Sequence, residues 1–172
     1  GKERKYVDDE IDQGWVSTGG AYITKLEEKM AGFLHVEKVA ACQSGTSALH
    51  LSLLECNVQP GDMVIVPTLT FIAAVNPVHY QFAEPVFMDC DASLCMDPVK
   101  LRRFCEKECH VEQKQLIHTA SGKKIKAVIV VHVFGNLADM DSIMDIAEEY
   151  HLKVIEDATE ALGSHYIEGR FA

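Results

Sequence analysis

The stretch that decides the fold runs from Ile125 to Asp157 and reads IKAVIVVHVFGNLADMDSIMDIAEEYHLKVIED. It opens on the longest apolar run of the sequence, which predicts a strand. The middle part places Ile143, Ile146 and Ala147 at helical spacing with acids on the other side, and KVIED then forms a second strand. Strand, helix and strand in this order indicate a crossover unit and a mainly parallel sheet.

The same alternation begins further upstream, at Glu37. Apolar β-rich runs predict strands, and helical patterns separate them; the polar segment 111–124 is expected to be a loop or insertion. Asp97 followed by Pro98 is a strong helix start, because Asp caps free amides and Pro needs no N–H at the first position. The expected strands are KVAACQ (38–43), MVIVP (63–67) and EPVFMDCD (84–91), and the expected helices are TSALHLSLLECN (46–57), TFIAAVNPVHYQFA (70–83) and MDPVKLRRFCEKECH (96–110).

These elements predict an α/β fold, a three-layer sandwich with a mainly parallel sheet in residues 37–172. Residues 1–36 differ, because a Gly-rich loop is followed by the amphipathic pattern AYITKLEEKMAGFLHV. We expect this N-terminal loop and helix to pack on the core. The residues expected to face that core are Ile23, Leu26, Met30, Phe33 and Leu34.

The composition bounds the kind of partner. The formal net charge is −10, from 16 Lys and Arg against 26 Asp and Glu, which argues against nucleic acid or an acidic membrane surface. No apolar stretch approaches a membrane span, and the first residues lack the hydrophobic segment of a secretory signal. We therefore expect a cytoplasmic protein with a small-molecule or protein partner.

Six cysteines occur in the chain, and without an export signal they are expected to be reduced thiols. Cys105 and Cys109 are four residues apart and His110 is adjacent, so a zinc site is conceivable. Paired CxxC spacing is absent, however, and buried small apolar side chains are the favoured interpretation. No metal is predicted.

The motif CQSGTSALH places Ser44 to Ser47 between a strand and a helix. The N-terminus of a helix carries unpaired N–H groups and partial positive charge, and Gly45 lets a ligand approach the backbone, so a phosphate would be well received. Simple capping of the helix by Ser44 or Thr46 explains the same residues. The motif matches neither the P-loop nor the dinucleotide glycine pattern.

Ligands of open parallel sheets gather at the carboxyl ends of the strands. There the sequence places, besides the Ser44 segment, residues 67–71, 132–136 and 157–160. Each has an ordinary explanation: Phe71 in the core, His132 as a buried imidazole with its hydrogen bonds satisfied, and Asp157 as a cap. Together they suit a flat, phosphorylated, nitrogen-containing ring, with Asp157 beside the cationic nitrogen and Phe71 stacked on the ring.

Several long motifs in a fixed order resemble one family over nearly the whole chain. They are GWVSTG, ITKLEEKMAGFLHV, SGTSALHLSLL, VQPGDMVIVPTLTFIAAVNPV, PVFMDCD and VVHVFGNLADMDSIMDIAEEYHLKVIEDATEALGS. The sequence resembles the DegT/DnrJ/EryC1/StrS sugar aminotransferases, which have the fold type I large domain and depend on pyridoxal 5′-phosphate. The resemblance implies amino transfer, with glutamate as the usual donor, to a nucleotide-linked keto sugar in 4-amino sugar and polysaccharide biosynthesis, by a homodimer.

The same resemblance implies roles for individual residues. Gly45, Thr46 and Ser47 would hold the cofactor phosphate, and Phe71 would stack on the pyridine. Asp157 would pair with the ring nitrogen. Glu160 would approach the phenolic oxygen of the ring, where many relatives have Gln or His.

One departure concerns catalysis. In the family, the lysine that forms the Schiff base follows the EDAxE motif in a segment that we expect beyond Ala172, together with a small C-terminal domain. No residue of this chain is therefore assigned as catalytic, and the chain is expected to be an inactive N-terminal portion. A non-catalytic remnant acting as a binding or regulatory partner, and a dehydratase of the same fold with His in place of that lysine, stay open.

Overall fold

The computed structural model describes residues 1–17, 19–166 and 169. Thr18 of the GWVSTG motif and the final residue, Ala172, lie outside the described residues. The chain divides into two compact units, Gly1–Gln43 and Ser44–Ala172. Each unit has its own secondary structure.

The first unit contains helices α1 (Glu3–Asp12) and α2 (Ala21–Leu34). The Tyr22 hydroxyl on α2 donates a hydrogen bond of 2.9 Å to Asp9 Oδ2 on α1, which joins the two helices. No residue of α2 is buried, and its packing on the core stays a prediction. The predicted strand 38–43 is wrong. Its residues are exposed apart from half-buried Val39, so the segment lacks the apolar burial that stabilises a strand.

The second unit alternates helices and strands as the sequence predicts. Its helices are α3 (Gly45–Glu55), α4 (Asn76–Tyr80), α5 (Pro98–Glu108) and α6 (Met140–Glu149). Its strands are β1 (Met63–Pro67), β2 (Glu84–Met88), β3 (Cys109–Glu112), β4 (Gln115–His118), β5 (Lys124–Val131) and β6 (Lys153–Asp157).

The strands form a single mixed sheet in the described part of the chain. The order is β2-β1-β5-β4-β3, and β6 pairs with β5. Strands β1, β2, β5 and β6 are mutually parallel where they pair, whereas β3 and β4 form an antiparallel hairpin that joins β5 through β4. The mainly parallel sheet is confirmed.

The β3–β4 hairpin lies where the sequence predicts a loop, and that prediction is wrong. Leu116 of β4 is fully buried and anchors the hairpin to the core. The turn uses Gln113 and Lys114, both with positive φ (49° and 59°), rather than the Asn-Gly or Asp-Gly pairs that signal such turns in a sequence. The segment is polar and lacks the usual turn residues, so the sequence pattern did not predict the hairpin.

Helices cover both faces of the sheet and complete the three layers. On β5, Ala127 and Ile129 pack with apolar residues of α3 and α4, and this side is called the α3/α4 face. Val128 and Val130 pack with residues of α5 and α6 on the α5/α6 face. The α/β sandwich fold is confirmed.

The helix starts show why these segments are helical. Asp97 Oδ1 accepts hydrogen bonds from the amides of Val99 and Lys100, at 2.8 and 3.2 Å, which confirms the predicted cap of α5. Asp139 Oδ1 caps α6 through the Ser142 amide at 3.1 Å. The segment 70–83 is less regular, with a 3₁₀ turn at Ile72–Ala74 before the short α4, whose first turn contains Pro77.

The six cysteines all lie in the described residues and form no disulfide. Cys105 is buried and Cys109 half-buried at the end of α5, and in the described part of the chain no three potential metal ligands come together. In the same residues, no helix is long and apolar enough to cross a membrane.

Burial of Cys105 is expected to make the fold sensitive to alkali. Desolvation raises the pKa of its thiol to about 12, so the folded state holds the proton that an unfolded thiol releases near pH ~8.5. Below that pH, the protonated Cys105 thiol does not lower the free energy of unfolding. Above it, the free energy of unfolding falls by about 1.4 kcal/mol per pH unit as the pH rises toward the folded pKa. Urea unfolding at pH 8 and pH 10 should show a smaller loss for Cys105→Ala than for the wild type. An equal loss in both proteins would contradict this.

Candidate functional site

A cavity of about 520 Å³ opens at the carboxyl ends of β1, β5 and β6, beside the N-terminus of α3. This volume suits a small organic ligand. The segments that the sequence places at these strand ends all contribute to its wall. The lining residues are Gly45, Thr46, Leu49, Leu69, Thr70, Phe71, Ala73, Ala74, Val131, Val133, Phe134, Asp157, Thr159 and Glu160.

Asp157 faces the cavity because of the alternation along β6. Ile155 packs in the cluster on the α3/α4 face, and successive strand residues point to opposite faces, so Asp157 lies on the same face as Ile155. It is the last residue of the strand, where the helix layer opens into the cavity. The side chain is half-buried, whereas the sequence suggested a buried carboxylate.

The two oxygens of Asp157 have different surroundings. Oδ1 accepts hydrogen bonds from the Thr159 amide at 3.1 Å and from the Thr159 hydroxyl at 2.6 Å. Within the described residues, Oδ2 receives no hydrogen bond. The carboxylate is thus held by one oxygen, and the other is available to a cationic group in the cavity.

The N-terminus of α3 supplies the opposite electrostatic character. Ser44 has an extended backbone and caps the helix, with its Oγ accepting from the Ser47 amide at 3.2 Å. The amides of Gly45 and Thr46 lie in the first turn, where a helix has no internal acceptors for them. Both residues line the cavity, so this end can receive an anion.

Ser47 is the predicted site residue that does not line the cavity. Its hydroxyl lies 3.0 Å from Ser44 Oγ, and its amide is used by the cap. The capping interpretation of this motif therefore holds for Ser44, while Gly45 and Thr46 keep the geometry of an anion site.

Phe71 and Glu160 stand on other walls of the same cavity. The Phe71 ring is 80% exposed, so the alternative of a core residue is wrong. Glu160 Oε2 accepts a hydrogen bond of 2.6 Å from the Phe134 amide, which ties the segment after β6 to the segment after β5. A side chain at Gly135 would lie 3.2 Å from the Glu160 carbonyl oxygen, and its φ of 80° also favours glycine.

His132 belongs to the strand end but not to the cavity wall. It is fully buried, and both ring nitrogens have partners: Nδ1 at 3.1 Å from the Ala138 amide and Nε2 at 2.7 Å from Glu156 Oε1. The structure thus favours the interpretation of His132 as a buried imidazole with satisfied hydrogen bonds.

Sequence reasoning placed Thr159 and Phe134 in segments at the strand ends without giving them a role, and it missed Leu49 as a wall residue. Thr159 had a signal, since a hydroxyl two residues after an aspartate at a strand end is typical of local side-chain hydrogen bonding. Phe134 has a positive φ of 58°. Positive φ is uncommon for a residue other than glycine, so the sequence gives no signal for this backbone conformation. Leu49 was recognised only as an apolar residue of its helix.

Comparison with known proteins relates this chain to sugar aminotransferases. The chain is 41% identical over 166 residues to GDP-perosamine synthase of Escherichia coli O157:H7, covering 96% of this chain and 42% of that protein. It is 36% identical over 167 residues to the putative pyridoxal phosphate-dependent aminotransferase EpsN of Bacillus subtilis, covering 96% of this chain and 40% of that protein. The chain thus spans about two fifths of the length of the curated relatives it matches.

Solved structures share the fold. A DegT DnrJ EryC1 StrS aminotransferase from Brucella abortus matches with a TM-score of 0.82 and 32% identity, over 93% of this chain and 40% of that one. The structure of ntda from Bacillus subtilis with bound cofactor PMP matches with a TM-score of 0.72 and 33% identity, over 85% of this chain and 30% of that one. A family model covers residues 1–171, and the chain therefore belongs to the DegT/DnrJ/EryC1/StrS aminotransferase family.

Proposed function

We propose that this chain carries the cofactor-binding part of a pyridoxal-phosphate-dependent aminotransferase that acts on a nucleotide-linked keto sugar. The observation that carries the proposal is one cavity in which the N-terminus of α3, the Phe71 ring and the free oxygen of Asp157 meet. A positive end, an aromatic face and a negative end are the three features that a phosphorylated pyridine ring requires.

The residues of the cavity fit this cofactor. The first amides of α3, at Gly45 and Thr46, would hold the phosphate, and Phe71 would cover one face of the ring. Asp157 Oδ2 would accept a hydrogen bond from the protonated ring nitrogen, and Glu160 would lie toward the phenolic oxygen. The bound cofactor supplies an electron sink for the carbon that exchanges its amino group.

The protein residues act on that chemistry through charge and position. Asp157 would keep the ring nitrogen protonated, because a carboxylate nearby favours the cationic form. Thr159 holds Oδ1 in place, so the free Oδ2 keeps one orientation. The exposed Phe71 ring, once stacked on the cofactor, would exclude water from that face.

The substrate class rests on the relatives. One relative is a UDP-4-amino-4-deoxy-L-arabinose--oxoglutarate aminotransferase, 34% identical over 160 residues, and another is GDP-perosamine synthase. Both names support a nucleotide-linked sugar as acceptor, and the first also supports a 4-keto position and glutamate as donor. Two further relatives are named for 3-keto sugars. The homodimer that the family resemblance implies is part of the same proposal.

Pyridoxamine phosphate is expected to bind the purified protein saturably and one to one. Its phosphate and pyridine nitrogen match the two ends of the cavity, and it needs no covalent link to the protein. Titration calorimetry measures the affinity, with pyridoxamine as the control that lacks the phosphate. Because this chain has no assigned catalytic residue, amino transfer would be tested in a longer protein that has these cavity residues and also the family lysine. Its bound pyridoxamine phosphate, labelled with ¹⁵N in the amine, would be mixed with a UDP- or GDP-linked 4-keto sugar, and mass spectrometry would follow the label into the sugar.

Binding of pyridoxamine as tight as that of the phosphorylated form would contradict the role of the α3 N-terminus. Absence of saturable binding of pyridoxamine phosphate would contradict the proposal as a whole. Binding without transfer of the label to any nucleotide-linked keto sugar in that longer protein would contradict the substrate class.

A further inference from the structure

The side chains of His132 and Glu156 form a pair behind the strand ends that bear the site. Along β5, Val128 and Val130 pack on the α5/α6 face, and the alternation continues to His132. Along β6, Glu156 points away from the face of Ile155 and Asp157. The pair therefore lies across the sheet from the cavity, and neither residue lines it.

The hydrogen bonds fix the proton of the imidazole. Nδ1 accepts from the Ala138 amide at 3.1 Å, so it carries no hydrogen. The proton is therefore on Nε2, which donates to Glu156 Oε1 at 2.7 Å. His132 is fully buried, whereas the Glu156 side chain is 35% exposed, so only the histidine depends on this contact to satisfy a buried donor.

This imidazole joins three parts of the site. Its bond to Ala138 closes the base of the loop 133–137, whose Val133 and Phe134 line the cavity. Its bond to Glu156 joins β5 to the residue that precedes Asp157. The His132 amide also donates to the Asp157 carbonyl oxygen at 3.1 Å, so the two strand ends are connected through backbone and side chain.

The loop in turn holds a predicted cofactor residue. The Phe134 amide donates to Glu160 Oε2 at 2.6 Å, and the Ser164 hydroxyl lies 3.4 Å from the Gly135 carbonyl oxygen. Movement of the loop would therefore displace Glu160, and slippage between β5 and β6 would displace Asp157. Neither effect requires a direct contact between His132 and the cofactor.

We propose that His132 and Glu156 are positioning residues, which hold Asp157 and Glu160 at the cofactor through the loop 133–137 and the end of β6. The effect on the cofactor rests on the proposed function, whereas the effect on the loop does not. The alternative is that the pair only stabilises the fold as a whole and that its loss leaves the cavity unchanged.

Amide hydrogen exchange and cofactor affinity test this role together in four variants. Glu156→Ala removes the acceptor, and Glu156→Gln keeps an acceptor without charge. His132→Asn keeps an acceptor near the Nδ1 position, and His132→Gln keeps a donor near the Nε2 position. Exchange is followed by NMR at Phe134 and Thr159, with Ile143 of α6 as an internal reference, and pyridoxamine phosphate affinity is measured well below the unfolding temperature.

In Glu156→Ala we expect exchange at Phe134 and Thr159 to rise by about tenfold relative to Ile143, and pyridoxamine phosphate affinity to fall by about tenfold. Glu156→Gln is expected to keep the exchange rates and the pyridoxamine phosphate affinity within about threefold of the wild type. The reason is that the amide oxygen still accepts a hydrogen bond from Nε2–H. Each His132 variant retains one bond only, so both are expected to show faster exchange than Glu156→Gln.

Unchanged exchange at Phe134 and Thr159 in Glu156→Ala would overturn the proposal, as would equal acceleration at Ile143, which indicates global destabilisation. Faster local exchange with unchanged pyridoxamine phosphate affinity would overturn the link to Asp157. If the wild type binds no pyridoxamine phosphate, the proposed function fails, while the exchange data still decide whether the pair holds the loop.

Discussion

Asp157→Asn is expected to weaken pyridoxamine phosphate binding by about 100-fold, or ~2.8 kcal/mol at 1.4 kcal/mol per tenfold change. Asparagine keeps an oxygen for the Thr159 amide and hydroxyl, so the local turn survives. What is lost is the negative charge beside the ring nitrogen. Removing one member of a fully buried ion pair costs about 3–5 kcal/mol, and the half-buried position of Asp157 lowers the expected cost.

Two controls separate this local effect from the general loss of one negative charge. Asp145→Asn makes the same chemical change at an exposed residue of α6 and is expected to alter the affinity by less than about twofold, since solvent and salt screen distant charges. A pyridoxamine phosphate analogue with carbon in place of the ring nitrogen should bind Asp157→Asn and wild type alike. A loss of affinity below threefold for the normal ligand would refute the assignment of Asp157.

The parts of the fold that the sequence predicted are those in which burial follows a period. Strand β5 is an uninterrupted apolar run, and α6 repeats apolar residues at helical spacing, so both were found from pattern alone. The β3–β4 hairpin was missed because a single buried residue, Leu116, anchors it within a polar segment. The segment 38–43 has strand-like composition but lacks burial, and composition does not report burial.

The sequence predicted which residues group at the candidate site but not the contacts behind them. Parallel strands bring their carboxyl ends to one edge, so the grouping of Phe71 with Asp157 follows from the order of the elements. Thr46 joins them from the first turn of α3, although the strand predicted before that helix is absent. The contacts behind the site do not follow from any short spacing. The pairing of His132 with Glu156 needs the register of β5 against β6, which places Val130 opposite Glu156, and that register appears only once the strands are paired.

Ile143→Ala is expected to lower the free energy of unfolding by about 3–4 kcal/mol, because it leaves a cavity between α6 and the sheet. Ile143 is fully buried on the α5/α6 face, while its neighbour Met144 is 50% exposed. Met144→Ala on the same helix should therefore cost less than about 0.5 kcal/mol, which makes it a matched control in urea unfolding. The cofactor cavity lies on the other face of the sheet, so pyridoxamine phosphate affinity in Ile143→Ala should stay within about twofold of the wild type while the protein is folded. Equal destabilisation by the two substitutions would show that α6 packs through a different face, and a parallel loss of affinity would show that the two faces of the sheet are coupled.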